Sequence, residues 1–204
     1  MLIKDVGNVK KSETSKLIEK RLKEFIKLGK KGNKEWFSEL CFCILTANSK
    51  AQTALNIQKE LHIKGFLCYP HEKIIKCIKR NKHRFHNNKT KYIVEARKYK
   101  NIKTILVKED DPREWLVKHI KGLGYKESSH FLRNVGYTDY AIVDRHILNV
   151  LLDNKVIKEK PLSLNKKVYL EIEGKLALIG KKLKMNQAKL DLYLWYIKTG
   201  KVLK

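Results

Sequence analysis

The sequence predicts an all-α protein. Apolar residues recur at helical spacing over most of the chain, as at Leu17, Ile18, Leu22, Phe25 and Ile26, which places them along one face of a helix. No stretch alternates apolar and polar residues for long enough to predict a sheet strand. Several of these segments also begin or end with residues that favour helix termini.

A central helix is predicted at residues 36–45. This segment is apolar nearly all round, so we expect it to be buried on most sides, with Asn33 as its N-cap. Asp111 and Pro112 favour a helix start, and Gly136 and Gly200 stand where a left-handed C-terminal cap is favoured. The further predicted helices are 50–61, 72–80, 89–99, 112–120, 126–135, 145–152, 166–182 and 187–198.

The chain is strongly basic. Its 204 residues include 46 Lys and Arg against 21 Asp and Glu, a formal net charge of +25. Such an excess predicts a polyphosphate partner, and nucleic acid is the first candidate. Lysine-rich surfaces also accompany life at high temperature, but those proteins are usually enriched in glutamate as well. Here the basic residues outnumber the acidic ones, so nucleic acid remains the favoured partner.

Composition argues against two other classes of protein. No apolar run approaches the roughly 20 residues that span a bilayer, and the first five residues do not begin a signal peptide. We therefore expect a cytoplasmic, nucleoid-associated protein of a prokaryotic cell, with no membrane partner. The four cysteines lack paired C-x-x-C spacing, which predicts small buried hydrophobic residues instead of a metal site or disulfide framework. They are Cys41, Cys43, Cys68 and Cys77.

A glycine-containing turn lies between the predicted helices 112–120 and 126–135. Gly122 and Gly124 allow a tight turn whose N–H groups, with the start of the following helix, can hold a phosphate. Leu123 between them would be the apolar residue that seats the turn, and Lys121 is a candidate phosphate contact. A Gly-x-Gly turn alone is weak evidence, because many helix connections contain glycine for steric reasons.

Lys126 follows this turn directly and falls in the first turn of the next predicted helix. An amine attacks carbon only in its uncharged form, which nearby positive potential favours. The unpaired N–H groups of a helix start and the basic surroundings supply such potential. The position therefore suits a nucleophilic lysine, although a lysine that only contacts phosphate is the alternative in a basic protein.

Asp144 stands 18 residues after Lys126, at the start of another predicted helix. Its local role is the N-cap of that helix. A carboxylate held at this point could also steer the amine and stabilise a cationic sugar. One residue can serve both purposes.

These residues resemble the helix-hairpin-helix superfamily of DNA glycosylases, and more narrowly the archaeal-type 8-oxoguanine DNA glycosylase/lyases. The turn, Lys126 and the segment 143–146 carry the broader resemblance. The narrower matches are ELCFCILTAN at 39–48, RFHN at 84–87 with KYI at 91–93, SHFLRNVG at 129–136 and WYIKTGKVLK at 195–204. The resemblance implies one glycosylase unit over 1–204, one domain or two packed helical lobes, with the hairpin at about 113–135 beside a DNA-binding cleft.

The resemblance also implies an activity. A damaged nucleotide is flipped from duplex DNA into a pocket, and Lys126 attacks C1′ as the glycosidic bond breaks. The resulting Schiff base undergoes β-elimination and nicks the strand 3′ to the lesion. This chemistry needs neither a metal nor an organic cofactor. The implied partner is duplex DNA containing an oxidised guanine, bound by a monomer.

Three residues are implied at the base pocket. His130 lies four residues after Lys126, on the same helix face, where it either packs against the flipped base or is a core histidine. Trp195 corresponds to an aromatic residue that the family stacks on the base. Lys204 corresponds to a terminal lysine that the family uses in reading oxidised guanine.

Arg84 and Phe85 match residues that fill the gap left by the flipped nucleotide. Phe85 would be an apolar wedge and Arg84 would contact the orphaned partner base. A phenylalanine after basic residues can instead begin a small hydrophobic cluster. Lys89 is among several further lysines that are candidates for phosphate contact.

Two alternatives stay open at this point. One is a non-catalytic helix-hairpin-helix module that tethers a partner to DNA, which would need the turn glycines but no pairing of Lys126 with Asp144. The other is a glycosylase for a different damaged base. Some such enzymes carry a four-cysteine iron–sulfur loop after the catalytic aspartate, and no cysteine follows Cys77 here.

Overall fold

The computed structural model describes residues 2–204, and all regular elements in that range are helices. This confirms the predicted all-α class. The helices are α1 (Leu2–Lys10), α2 (Thr14–Gly29), α3 (Asn33–Thr46), α4 (Ala51–Cys68), α5 (His71–Arg80), α6 (His86–Ala96), α7 (Ile102–Leu106), α8 (Pro112–His119), α9 (Tyr125–Asn134), α10 (Arg145–Asp153), α11 (Lys166–Leu183) and α12 (Gln187–Thr199). A 3₁₀ turn, Arg97–Tyr99, follows α6.

The predicted helices are present, with differences at their ends. Helix α6 begins at His86, three residues before the predicted start. The predicted end of α4 coincides with a kink, because His62 adopts a left-handed backbone (φ 51°) before the helix resumes. Helices α1 and α7 were not predicted; α7 has only 5 residues, too few to display a clear periodicity.

The predicted N-cap of α3 is wrong. Gly32 occupies that position, and its N–H donates to Glu35 Oε2 (3.1 Å). Asn33 is already helical, and its side-chain amide instead bonds Thr104: Nδ2 donates to Oγ1 (2.9 Å) and Oδ1 accepts the Thr104 N–H (3.1 Å). A long-range partner therefore replaced the local cap that the sequence favoured.

The chain forms two compact units. The central unit comprises residues 28–131, and its core is α3, in which every residue from Trp36 to Thr46 is buried. Helices α4, α6 and α7 pack against it. The prediction of a helix buried on most sides is confirmed.

Three of the four cysteines are buried as predicted, and the fourth is not. Cys41, Cys43 and Cys77 lie in the interior of the central unit, and burial raises the pKa of the Cys77 thiol to about 12. Cys68 is exposed, because it is the last residue of α4 and lies beyond the kink. Among residues 2–204 no group of three or more His, Cys, Asp or Glu is arranged to hold a metal ion.

The terminal unit comprises residues 2–27 and 132–204 of the described range. Helix α12 lies at its centre and packs against α1, α10 and α11. The apolar stripe predicted on α2 is narrower than expected. Ile18 and Phe25 are buried, whereas Leu17 and Ile26 are 58% and 48% exposed. No helix within residues 2–204 has the length and apolar character needed to cross a membrane.

A buried ion pair joins α9 to α12 in the terminal unit. Arg133 Nη1 bonds Asp191 Oδ2, and the two side chains are only 5% and 7% exposed. The same guanidinium donates to Asn134 Oδ1 through Nε (3.1 Å) and Nη2 (2.9 Å) and lies over the Phe25 ring. Because the cation is fully engaged, its loss would leave a buried carboxylate without compensation.

We predict that Arg133→Met lowers the free energy of unfolding by about 3–5 kcal/mol, the cost of stranding a buried charge. The control is Lys198→Ala, which removes a solvent-exposed ion pair with Asp153 (2.7 Å) in the same unit. That change should cost about 0–1 kcal/mol. Denaturant unfolding followed by circular dichroism measures both, and equal losses would contradict the structural importance of the buried pair.

Candidate active site

A helix–hairpin–helix motif is formed by α8, the turn 120–124 and α9, all but the end of α9 lying in the central unit. Asp111 caps α8 by accepting the Glu114 N–H (2.9 Å), with Pro112 in the first turn, as predicted. The turn is tightened by a bond from the Leu123 N–H to Ile120 O (3.2 Å). Leu123 is 5% exposed, which agrees with the predicted seating of the turn by this side chain.

The two turn glycines are not equivalent. Gly122 has φ +86°, a left-handed backbone that L side chains rarely adopt, and a Cβ there would lie 2.5 Å from Tyr92 Cδ2 of α6. Gly124 has no such φ, and a Cβ there would meet only Glu127 Oε2, at an ordinary 3.7 Å. Glycine is therefore required at 122 for both backbone and packing reasons.

The first N–H groups of α9 have no acceptor within the helix. The first bond into the helix runs from the Ser128 N–H to Gly124 O (3.0 Å), so the N–H groups of residues 125–127 have no partner within the helix. Gly124 has no side chain to cap them. The electropositive end of α9 is thus suited to an anion, as the sequence predicted.

Lys126 lies in the first turn of α9 and is partly exposed. Its side chain retains 28% of its accessible surface, and its Nζ lies 3.3 Å from Glu127 Oε1. The amine can therefore be approached from solvent, as a nucleophile requires. Nothing in the sequence pattern indicated that Glu127 would pair with this amine.

Lys89 is a second lysine of this neighbourhood and was expected at the surface. It is only 5% exposed on α6, and it interacts electrostatically with both Lys126 and Glu127. Burial is the largest effect on its amine and lowers the pKa of Lys89 to about 8. The sequence held no signal for this, because a lysine two residues away in the same basic segment is exposed.

Asp144 lies in the terminal unit and is the N-cap of α10, as predicted. Its Oδ1 accepts the N–H groups of His146 and Ile147, both at 2.8 Å, so Oδ2 takes part in neither bond. The segment before it is held by the buried Tyr169 hydroxyl, which donates to Ala141 O (2.8 Å) and accepts the Val143 N–H (3.1 Å). These bonds fix the carboxylate at the helix start.

Trp195 is on α12 of the terminal unit and packs edge-on against His146 of α10, with ring centroids 4.7 Å apart. Its indole Nε1–H is buried and bonds no acceptor within residues 2–204. His146 is two residues after Asp144, so this aromatic pair and the carboxylate belong to one local arrangement. The role of His146 was missed, because nothing in its spacing distinguishes it from a core histidine.

Arg84 and Phe85 lie in the turn between α5 and α6. The Arg84 guanidinium carbon is 4.4 Å from the centre of the Phe85 ring, and both side chains retain solvent exposure. The turn is held by buried His83, whose Nδ1 accepts the Phe85 N–H (3.2 Å) while Nε2 lies 2.9 Å from Leu45 O. Burial lowers the pKa of His83, which favours the neutral ring that these two bonds require.

The remaining candidates differ in exposure. Lys121 is exposed, and its Nζ pairs with Glu95 Oε2 of α6 (3.1 Å). His130 is 8% exposed and packs edge-on against Phe42 of the core helix α3, with centroids 5.7 Å apart. Lys204 is partly exposed in the segment after α12. None of these contacts includes a base or a phosphate, so the assigned roles of these three residues stay predictions.

Comparison with known proteins places this helical architecture and its hairpin in a family. The family model for 8-oxoguanine DNA glycosylase matches residues 18–185. The 8-oxoguanine DNA glycosylase/AP lyase of Methanocaldococcus jannaschii is 51% identical over the whole of both chains. That of Thermotoga maritima is 40% identical over 98% of each. The chain belongs to the 8-oxoguanine DNA glycosylase family.

Solved structures agree with this assignment. The M. jannaschii 8-oxoguanine glycosylase/lyase, crystallised in complex with a 15-mer DNA containing 8-oxoguanine, matches with a TM-score of 0.97 at 50% identity, covering all of both chains. The T. maritima 8-oxoguanine DNA glycosylase matches with a TM-score of 0.94 at 39% identity, covering all of this chain and 98% of that one.

We predict that Gly122→Ala destabilises the protein by about 2 kcal/mol or more, because it adds left-handed strain to a clash with Tyr92. Gly124→Ala is the matched control and should change the free energy of unfolding by less than about 0.5 kcal/mol. Thermal unfolding of the two variants measures the difference. Equal stability of both variants would refute the special role of the turn at Gly122.

Proposed function

We propose that this protein removes 8-oxoguanine from duplex DNA and then nicks the strand 3′ to the lesion. The observation that carries the proposal is the whole-chain match to a relative solved with 8-oxoguanine-containing DNA. Within this chain, a partly exposed lysine at the electropositive start of α9 supplies the nucleophile that such an activity needs. The net charge of +25 suits a DNA partner.

DNA is held first through its backbone. The N–H groups at the electropositive start of α9 and in the turn before it bind a phosphate near the lesion. Phe85 enters the space left by the flipped nucleotide, and Arg84 contacts the base left opposite. The cation–π contact between them keeps the two side chains together before DNA arrives. Lys121 adds a phosphate contact once it leaves Glu95.

Lys126 performs the covalent step. Its uncharged Nζ bonds to C1′ of the flipped nucleotide while the bond from C1′ to the base nitrogen breaks, and the departing base takes up a proton. The sugar ring opens to leave a Schiff base between Nζ and C1′. Loss of a proton from C2′ then expels the 3′ phosphate, and water hydrolyses the imine to free the enzyme.

Asp144 stabilises the positive charge that develops on the sugar as the base departs. Because Oδ1 accepts the two capping hydrogen bonds, Oδ2 is the oxygen that stabilises this positive charge. Trp195 stacks on the extruded base, and its buried indole N–H supplies a donor. His130 and Lys204 complete the predicted base contacts, and the protein acts as a monomer on DNA in the cytoplasm.

We predict that Lys126→Gln abolishes covalent trapping. Borohydride reduces the imine of wild-type protein on an 8-oxoguanine duplex to a stable crosslink, which migrates slowly in a denaturing gel. The variant should give no crosslink and no nick while still binding the duplex, because only the amine is lost. Lys118→Gln, which changes an exposed lysine of α8, serves as a control for charge. A crosslink formed by Lys126→Gln would disprove the assignment.

We predict that Asp144→Asn folds normally and reacts slowly. Asparagine is as good an N-cap as aspartate, so the unfolding midpoint should hardly change. The loss of the carboxylate charge should lower the single-turnover rate of base release by about two orders of magnitude or more. Base release and thermal unfolding are measured on the same preparation. A wild-type rate would show that Asp144 is only a cap.

A further inference from the structure

Lys89 is a buried cation that the proposed reaction does not use. It is 5% exposed on α6, and within residues 2–204 the structure gives its amine no hydrogen bond or ion pair. Arg133, a cation buried to a similar degree, is fully paired with Asp191 and Asn134. Lys89 therefore lacks the compensation that buried charges in folded proteins normally have.

The burial of Lys89 works against folding at neutral pH. Its pKa falls to about 8, chiefly through desolvation, whereas an unfolded lysine titrates near ~10.4. The unfolded chain therefore binds more protons between these two values, and this residue favours the folded state more as the pH rises through that window. At pH 7 the burial of the Lys89 charge therefore lowers the free energy of unfolding. Such a loss of stability is expected where a residue has a function.

Helix α6 turns one face towards the hairpin. Lys89, Tyr92 and Glu95 are spaced three residues apart and so share this face. The ring of Tyr92 lies against Gly122, and Glu95 pairs with Lys121 at 3.1 Å. Lys89 is the member of this row that interacts with Lys126 and Glu127 at the start of α9.

The charges around Lys126 in the central unit oppose one another. The Glu127 carboxylate lies 3.3 Å from the amine of Lys126 and attracts its positive charge. Lys89 is the cation that counters this carboxylate. His83 also lies within the field of Lys89. On the two helices that pack against α6, Glu39 of α3 accepts a hydrogen bond from Gln58 (3.3 Å) and Arg80 of α5 pairs with Glu60.

We propose that Lys89 is a positioning residue that makes Lys126 reactive: its buried positive charge offsets Glu127 and promotes loss of the proton from the Lys126 amine. The inference rests on the proposed function, because it gives the nucleophile of that reaction its reactive form. The repulsion between the two amines acts on both of them. The benefit is largest below about pH 8, where Lys89 is charged.

The test measures the pH dependence of imine formation. A duplex with a preformed abasic site is mixed with excess protein under single-turnover conditions, and borohydride-trapped crosslink is quantified from pH 6.5 to 9.5. Lys89→Met should slow trapping about tenfold at pH 7, since one pKa unit corresponds to a factor of ten. The rate should approach that of wild type above pH 9, where Lys89 is already neutral.

Two further variants make the interpretation specific. Lys89→Arg keeps the charge at every assayed pH, so it should retain the wild-type rate at pH 7 to within about threefold. The double variant Lys89→Met with Glu127→Gln removes both opposing charges and should recover most of the lost rate at pH 7. Lys100→Met is the matched control, because it removes an exposed lysine without touching this cluster, and its profile should follow wild type.

Stability and DNA affinity separate this role from the alternatives. Lys89→Met should unfold at a temperature no lower than wild type, because it removes a buried, unpaired charge. Equal slowing at every pH with a lowered unfolding midpoint would overturn the inference in favour of a structural role. Weaker DNA binding with a reduced salt dependence and an unchanged pH profile would overturn it in favour of a phosphate contact. No crosslink from wild-type protein would refute the proposed function itself.

Discussion

The left-handed turn at Gly122, closed against the ring of Tyr92, is the constraint on which the candidate site depends. A φ of +86° redirects the chain between α8 and α9 within a few residues, and the missing Cβ lets α6 approach the hairpin. Two consequences follow from this one contact. The electropositive start of α9, which bears Lys126, is held in a defined position, and the face of α6 that bears Lys89 packs near it.

Buried charge is handled differently in the two units. In the terminal unit Arg133 is surrounded by acceptors, so its charge contributes to the packing of α9 on α12. In the central unit Lys89 is buried without such a partner, and its pKa falls in response. His83 is an intermediate case, since its ring is buried and bonded at both nitrogens in the neutral form. Lys89 thus places a positive charge in the interior, within the field of the candidate nucleophile Lys126.

Several residues of this protein both stabilise local structure and have a role in the proposed reaction. Asp144 caps α10 with one carboxylate oxygen and keeps the other for the reaction we propose. Lys126 occupies a helix first turn, which is both a position of positive potential and the approach to a phosphate. The Phe85 N–H bond to His83 likewise both begins α6 and holds the turn that carries the wedge. Such double use lets a short chain support a site with few additional residues.

Local sequence patterns alone were enough to predict the helical class, the burial of α3, the hairpin with its lysine, and four helix caps: Asp111, Asp144, Gly136 and Gly200. Each of these follows from periodicity or from backbone preferences that act within a few residues. Resemblance then named the family, which the comparisons confirmed.

Features that depend on contacts between distant segments could not be predicted in this way. Asn33, predicted as the N-cap of α3, instead bonds Thr104, 71 residues away. Cys68 is exposed because it lies beyond the kink in α4. Glycine is required at 122 but not at 124, because a side chain at 122 would clash with Tyr92 of α6. Lys89 is buried whereas Lys91 of the same helix is exposed, because burial depends on which helix face packs against the rest of the unit and not on the residue type.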